Sequence, residues 1–195
     1  MRRQRSFLAR TLVTAALVLL CVGGARAGDR SGVQEFGFST GFGQSERENV
    51  QIVPLYGHVG WLLWDAIDEP LARHHLDLKI VVEGWVAGVH NSQDAIEFGI
   101  NPVTFKLSYD RGQTVVPYFH GGAGVMYTGL QGIGLGGPFE FNEVVGVGVN
   151  VFLRRDLALS LGYRFRHVSN ADLGSENFGL DTHFVLVGLD WFPKR

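Results

Sequence analysis

Apolar and polar residues alternate at every second position along much of this chain, a period that fits strands and not helices. Over 139–153, Phe139, Phe141, Val145, Val147, Val149 and Val151 share one parity. Glu140, Asn142, Gly146, Gly148 and Asn150 share the other. A helix would scatter these residues around its circumference, whereas a strand puts one set on each face. Beyond residue 27 no run reaches the ~20 apolar residues of a spanning helix. Yet hydrophobic residues make up 46% of the sequence, with 27 Gly and 14 Phe. Apolar residues that alternate outward, with small or polar ones inward, are the pattern of a membrane β-barrel.

Eight segments carry the pattern, at about 34–44, 50–64, 75–90, 94–109, 113–128, 139–153, 156–169 and 181–192. Eight is an even number and the smallest common size for a bacterial outer-membrane barrel. Closure is obligatory there, because an open edge in lipid leaves backbone N–H and C=O groups unpaired. The expected fold is therefore all-β, an eight-stranded antiparallel transmembrane barrel with glycines turned into a narrow interior. The fourth segment changes phase near Pro102, which predicts a bulge or bend. Asp110-Arg111-Gly112 and Arg154-Arg155-Asp156 read as tight turns, while 130–138 and 170–180 read as longer loops. Short turns at one end and long loops at the other are the usual barrel arrangement. The 65–74 connection is long for the turn end. Trp61, Trp64, Tyr127, Trp191 and Phe192 are candidates for aromatic belts at the two interfaces. A soluble β-sandwich or lipocalin-like barrel is the competing architecture.

The N-terminus reads as a signal peptide over 1–27, with Arg2, Arg3, Arg5 and Arg10 before a short apolar run and Ala25-Arg26-Ala27 as the cleavage site. Residues 28–195 are then the barrel. The first 27 residues hold five Arg and no acid, so the remainder has 12 basic against 19 acidic groups, a formal charge of −7. The single cysteine, Cys21, falls inside the signal. Disulfide and thiol chemistry are thereby excluded from the remainder, and the lack of a basic patch argues against nucleic acid.

The last hairpin gathers reactive groups. Leu157, Leu159, Leu161, Tyr163 and Phe165 mark the odd face of the seventh segment as the lipid face, and Ser160, Gly162, Arg164 and Arg166 belong to the lumen. By the same parity His167 and Ser169 point outward at the loop end. In the eighth segment Asp181 and His183 share the outward parity of Val185, Val187 and Leu189. The two segments are antiparallel neighbours, so Asp181 returns beside His167 and Ser169. A hydroxyl, an imidazole and a carboxylate are the elements of acyl transfer. Asn170, with the backbone N–H groups of Asn170 and Ala171, offers donors for an oxyanion. An outward site near the head-group boundary would meet ester-linked acyl chains of lipopolysaccharide. A structural barrel, in which this cluster merely sits at the interface, and an esterase acting on phospholipid are the alternatives. Arg164 and Arg166 need a lumen acid, for which Glu140 is the better candidate because Glu143 faces outward. His183 reads as an interfacial polar residue, with a head-group phosphate as its functional alternative. His74 and His75 do not form a metal pair, since adjacent residues point to opposite faces when extended.

The segment Tyr163-Arg164-Phe165-Arg166-His167-Val168-Ser169-Asn170-Ala171, followed by Asn177-x-Gly179, resembles the signature of the lipid A 3-O-deacylase (PagL) family. Weaker similarity extends through Pro117-Tyr118, Gly122-x-Gly124-Val125, and 139–143 with Gly146-x-Gly148. The resemblance implies an exported eight-stranded outer-membrane barrel that hydrolyses the ester at position 3 of lipid A. It implies Ser169 as nucleophile, His167 as base and Asn170 in the oxyanion hole. The family's acid is a glutamate two residues past the asparagine-x-glycine, where this chain has the shorter Asp181. Glu176 is a second carboxylate in the same loop. No cofactor or metal is expected, and lipid A, the outer membrane and a second copy of the chain are the expected partners.

Overall fold

The alternating segments pair into a closed barrel. The computed structural model describes residues 32–195 apart from 64, 93, 131, 174, 175 and 194, so the signal segment 1–27 and Trp64 lie outside the described residues. Eight strands follow in chain order: β1 (Glu35–Ser45), β2 (Gln51–Leu62), β3 (Leu76–His90), β4 (Asp94–Tyr109), β5 (Val115–Thr128), β6 (Phe139–Arg154), β7 (Leu157–Ser169) and β8 (Leu180–Trp191). Each strand is antiparallel to the next, and β8 closes on β1. Every strand thus has two partners, which satisfies the backbone along the wall. The register shifts between Ile100 and Val103 on the β4–β5 side, and between Val81 and Glu83 on the β3–β4 side. The phase change near Pro102 is therefore a bulge, at the residue that cannot donate to the ladder. The long 65–74 connection is a short helix, α1 (Asp65–Ala72).

The parity expected from the sequence holds. On β6, Val145, Val147 and Phe139 are exposed outward, while Glu140, Asn142, Val144 and Asn150 are buried. Inward glycines make room for large neighbours: a Cβ on Gly146 would collide with the imidazole of His120.

The lumen is filled in layers. At the turn end, Glu35 pairs with Lys106 and with Lys79 (3.2 Å), and His58 Nε2 lies 3.3 Å from Glu35 and 3.7 Å from Asp190. Ligand atoms of Glu35, His58 and Asp190 lie within 4.8 Å of one another. The two lysine ammoniums already supply the positive charge that this acidic pair requires. Above them Arg164 donates two hydrogen bonds of 2.8 Å to Glu83, and Arg166 pairs with Glu97. The acids that take Arg164 and Arg166 are thus Glu83 and Glu97, not Glu140. Glu140 is the second residue of β6, near the loop rim, whereas the guanidiniums reach across the lumen to β3 and β4. Phe192 also departs from expectation. It is buried, lies under the ammoniums of Lys79 (5.3 Å) and Lys106 (5.9 Å), and packs on Phe152 instead of facing the interface. The loop end is sealed by an apolar cluster that includes Val50, Ile52, Tyr56, Trp85, Val168, Leu180 and Phe184.

Candidate active site

Inward anchoring fixes the outward groups. Val168 and Leu180, 1% and 2% exposed, sit in the apolar cluster. Their neighbours His167, Ser169 and Asp181 must then point out of the wall. β7 and β8 pair with His167 directly opposite Asp181, and His167 Nδ1 lies 2.6 Å from Asp181 Oδ1. The shorter acid therefore reaches the imidazole, because the register places the two Cα atoms as cross-strand partners. Glu176 is not the acid that meets His167. Its carbonyl instead accepts a 2.6 Å hydrogen bond from Asn170 Nδ2. With Nδ1 held by a carboxylate, Nε2 of His167 is the nitrogen left to take a proton.

Ser169 follows on the same face, opposite Phe141 of β6. No hydrogen bond joins Ser169 to His167 among the described residues, so the structure brings together the imidazole and the acid but does not close the serine link. Catalytic hydrogen bonds are often long before substrate binds.

The 170–179 loop is braced by its own side chains. Asn177 Oδ1 accepts from the Asn170 N–H (3.0 Å), and Asn177 Nδ2 donates to Asp172 Oδ1 (2.9 Å). Phe178 N–H donates to the Gly134 carbonyl (3.0 Å), tying this loop to the 129–138 loop. Ala171 and Asp172 take φ of 53° and 61°, in the left-handed region that most side chains avoid. Gly179 also has a positive φ, 62°, and a Cβ there would lie 2.7 Å from His167 Cε1 and 3.3 Å from Nε2. The asparagine-x-glycine pair thus has two physical tasks. Asn177 holds the backbone of Asn170, and Gly179 lets the chain pass against the imidazole.

A groove of about 670 Å³ opens in the wall at Phe141, the register partner of Ser169. Phe98, Ile100, Val125, Phe139 and Phe141 line it, and Asn170 stands at its edge. Next to the His167–Asp181 pair, Tyr163 donates its hydroxyl to His183 Nδ1 (2.5 Å), and His183 Nε2 donates to Glu46 Oε1 (2.8 Å). His183 therefore has an acid and a phenol as partners.

The model of the lipid A 3-O-deacylase (PagL) family matches residues 54–190. The chain belongs to that family. It is an outer-membrane deacylase of lipid A. The crystal structure of the outer membrane enzyme PagL is 18% identical, covers 78% of this chain and 97% of its own, and superposes with a TM-score of 0.65. Neisserial surface protein A is 13% identical, with 83% and 99% covered and a TM-score of 0.50. At these identities both likenesses speak for the barrel fold alone. No curated protein matches the chain by sequence.

The PagL-family match begins in β2 and so leaves out β1 and the loop after it. That loop reaches the site nonetheless. Glu46 N–H donates to the Asp181 carbonyl (3.0 Å), and the Arg47 guanidinium donates to the Gly179 carbonyl. Sequence reasoning misses both residues, since 132 positions separate Arg47 from Gly179 and no local pattern links them.

Proposed function

We propose that Ser169, His167 and Asp181 form a catalytic triad for removing the acyl chain at position 3 of lipid A. His167 Nε2 takes the Ser169 hydroxyl proton as Oγ adds to the ester carbonyl. Asp181 holds the Nδ1–H tautomer and stabilises the imidazolium that results. The tetrahedral oxyanion is met by the second N–H of Asn170 Nδ2 and by the Ala171 N–H. The Asn170 backbone N–H is already given to Asn177, and the described residues offer no acceptor for the Ala171 N–H. Collapse expels the sugar oxygen, which receives the proton from His167 and leaves an acyl-serine. Water then enters by the same route, with His167 again as base, and releases the free fatty acid.

The 2.6 Å contact between His167 Nδ1 and Asp181 Oδ1, on the outward face of the wall, carries this reading. The apolar groove beside Phe141 supports it, because an acyl chain entering there leaves its ester near Ser169. In this scheme 1–27 is the export signal, removed after Ala27.

The test is mass spectrometry of lipid A from cells producing the wild-type protein or Ser169→Ala. Loss of one ester-linked hydroxyacyl chain with the wild type alone is the expected result. Equal loss with both proteins rejects Ser169 as nucleophile, and loss with neither, given a folded barrel, rejects lipid A as the substrate of this chain.

A further inference from the structure

The β1–β2 loop is built to hold its position. Ser45 N–H donates to the Val50 carbonyl (2.9 Å), Val50 N–H donates to Ser45 Oγ (3.0 Å), and the Ser45 hydroxyl donates to the Arg47 carbonyl. Both stem residues are buried, Val50 completely. Glu48 and Asn49 turn the chain with φ of 64° and 49°. These three hydrogen bonds brace the loop across its stem, which limits where its side chains can go.

Three of its groups land around Asp181. Glu46 N–H binds the Asp181 carbonyl, which extends the β1–β8 ladder one step beyond the Ser45–Thr182 pair. Glu46 Oε1 accepts from His183, two residues further along the same outward face. Arg47 donates to the Gly179 carbonyl, and its guanidinium carbon lies 5.9 Å from the centre of the Phe178 ring. Gly179 is also the residue whose Cα closes against His167, so displacement of its peptide changes the space available to the imidazole. Glycine has the freest backbone of any residue, so a hydrogen bond to its carbonyl restricts where the peptide can go.

We infer that Arg47 is a positioning residue of the deacylase, acting on His167 through the carbonyl and Cα of Gly179. This rests on the triad reading above, in which His167 is the base. Arg47 belongs to a segment that the family match does not reach, and it holds a carbonyl of the catalytic loop instead of standing free as a receptor for lipid phosphate. The conformation of one surface loop thereby becomes part of the catalytic geometry.

The experiment compares wild type, Arg47→Met and Arg47→Lys in detergent micelles, each normalised to the folded fraction from heat-modifiable gel migration. Two readouts are taken: deacylation of lipid A, and the ¹³Cε1–¹H resonance of His167, assigned with His167→Gln. For Arg47→Met, a ten- to hundredfold fall in kcat is expected, about what a misplaced catalytic group costs. KM should stay within about twofold, since the change is not in substrate binding. The His167 resonance should move in the substrate-free protein. Arg47→Lys keeps one donor and should recover most of the loss. An unmoved resonance with unchanged kcat overturns the inference, and so does a rise in KM alone, which would make Arg47 a substrate contact. If wild type itself leaves lipid A intact, the triad reading fails, yet the resonance still decides whether Arg47 sets the place of His167.

Discussion

At the scale of single residues, two positions separate chemistry from scaffolding. Asp181 meets His167 Nδ1 at 2.6 Å across a direct register pair. Asp181→Asn keeps the shape but supports the wrong tautomer, so kcat should fall by about two to four orders of magnitude. Asp181→Glu keeps a carboxylate, the one that the sequence resemblance implies, and should retain far more activity than Asn. Single-turnover deacylation by the three proteins checks the order, and an Asn variant as active as Glu would remove Asp181 from the mechanism. Gly179 makes a different demand. A methyl group there meets the imidazole at 2.7 Å and must sit at φ 62°. Gly179→Ala should lower kcat about ten- to a hundredfold with little change in KM, since substrate contacts are untouched. A rise in KM with normal kcat would show that Gly179 faces substrate rather than His167.

At the scale of strands and turns, the interior charges hold the wall in one register. Arg164 on β7 and Glu83 on β3 lie on non-adjacent strands and share two 2.8 Å hydrogen bonds, both partners being buried. Removing one partner leaves a lone buried charge at a cost of about 3–5 kcal/mol. Glu83→Leu should therefore lower the unfolding midpoint in urea far more than the double change Glu83→Leu, Arg164→Met. Equal losses in the two would mean that the pair is not coupled. The turn end has its own latch. Arg195 donates to Asp110 at 2.9 and 3.2 Å and packs over the Phe152 ring, tying the C-terminus to the β4–β5 turn. Partial burial raises the Asp110 pKa, but the Arg195 hydrogen bond and the Gly112 N–H outweigh it, so the carboxyl lies below its ordinary value. A depressed carboxyl stabilises the fold above its unfolded pKa of ~3.9 and loses that contribution as pH falls through its folded value. Heat-modifiability midpoints should drop below about pH 4, and Asp110→Asn should flatten that part of the profile. An unchanged acid profile would show that the latch carries no pH-dependent stability.

At the scale of the whole molecule, what could be read from the sequence was what repeats with period two. Alternation over 139–153 and 157–169 gave the faces of β6 and β7, and hence the outward placement of His167 and Ser169. Pro102 marked the bulge because proline lacks a ladder donor. What escaped was contact across the lumen or between loops. Arg164 chooses Glu83 and Arg166 chooses Glu97 only once the wall has closed, and Arg47 meets Gly179 through loops from opposite ends of the chain. Phe192 turns inward by the parity it shares with Asp190, and only the closed wall brings two lysine ammoniums over its ring. The same closure that hides these pairs makes the outer surface testable as a membrane belt. Val147 lies midway along β6, points outward, is 53% exposed and pairs with Phe119 and Tyr163 on its two sides. In a bilayer this exposed surface is covered by lipid. Val147→Arg should therefore cost about 2–4 kcal/mol in liposome refolding, whereas Phe139→Arg, at the loop-end start of the same strand, should cost about 0–1 kcal/mol. Equal costs at both positions would mean that Val147 does not face the hydrocarbon core.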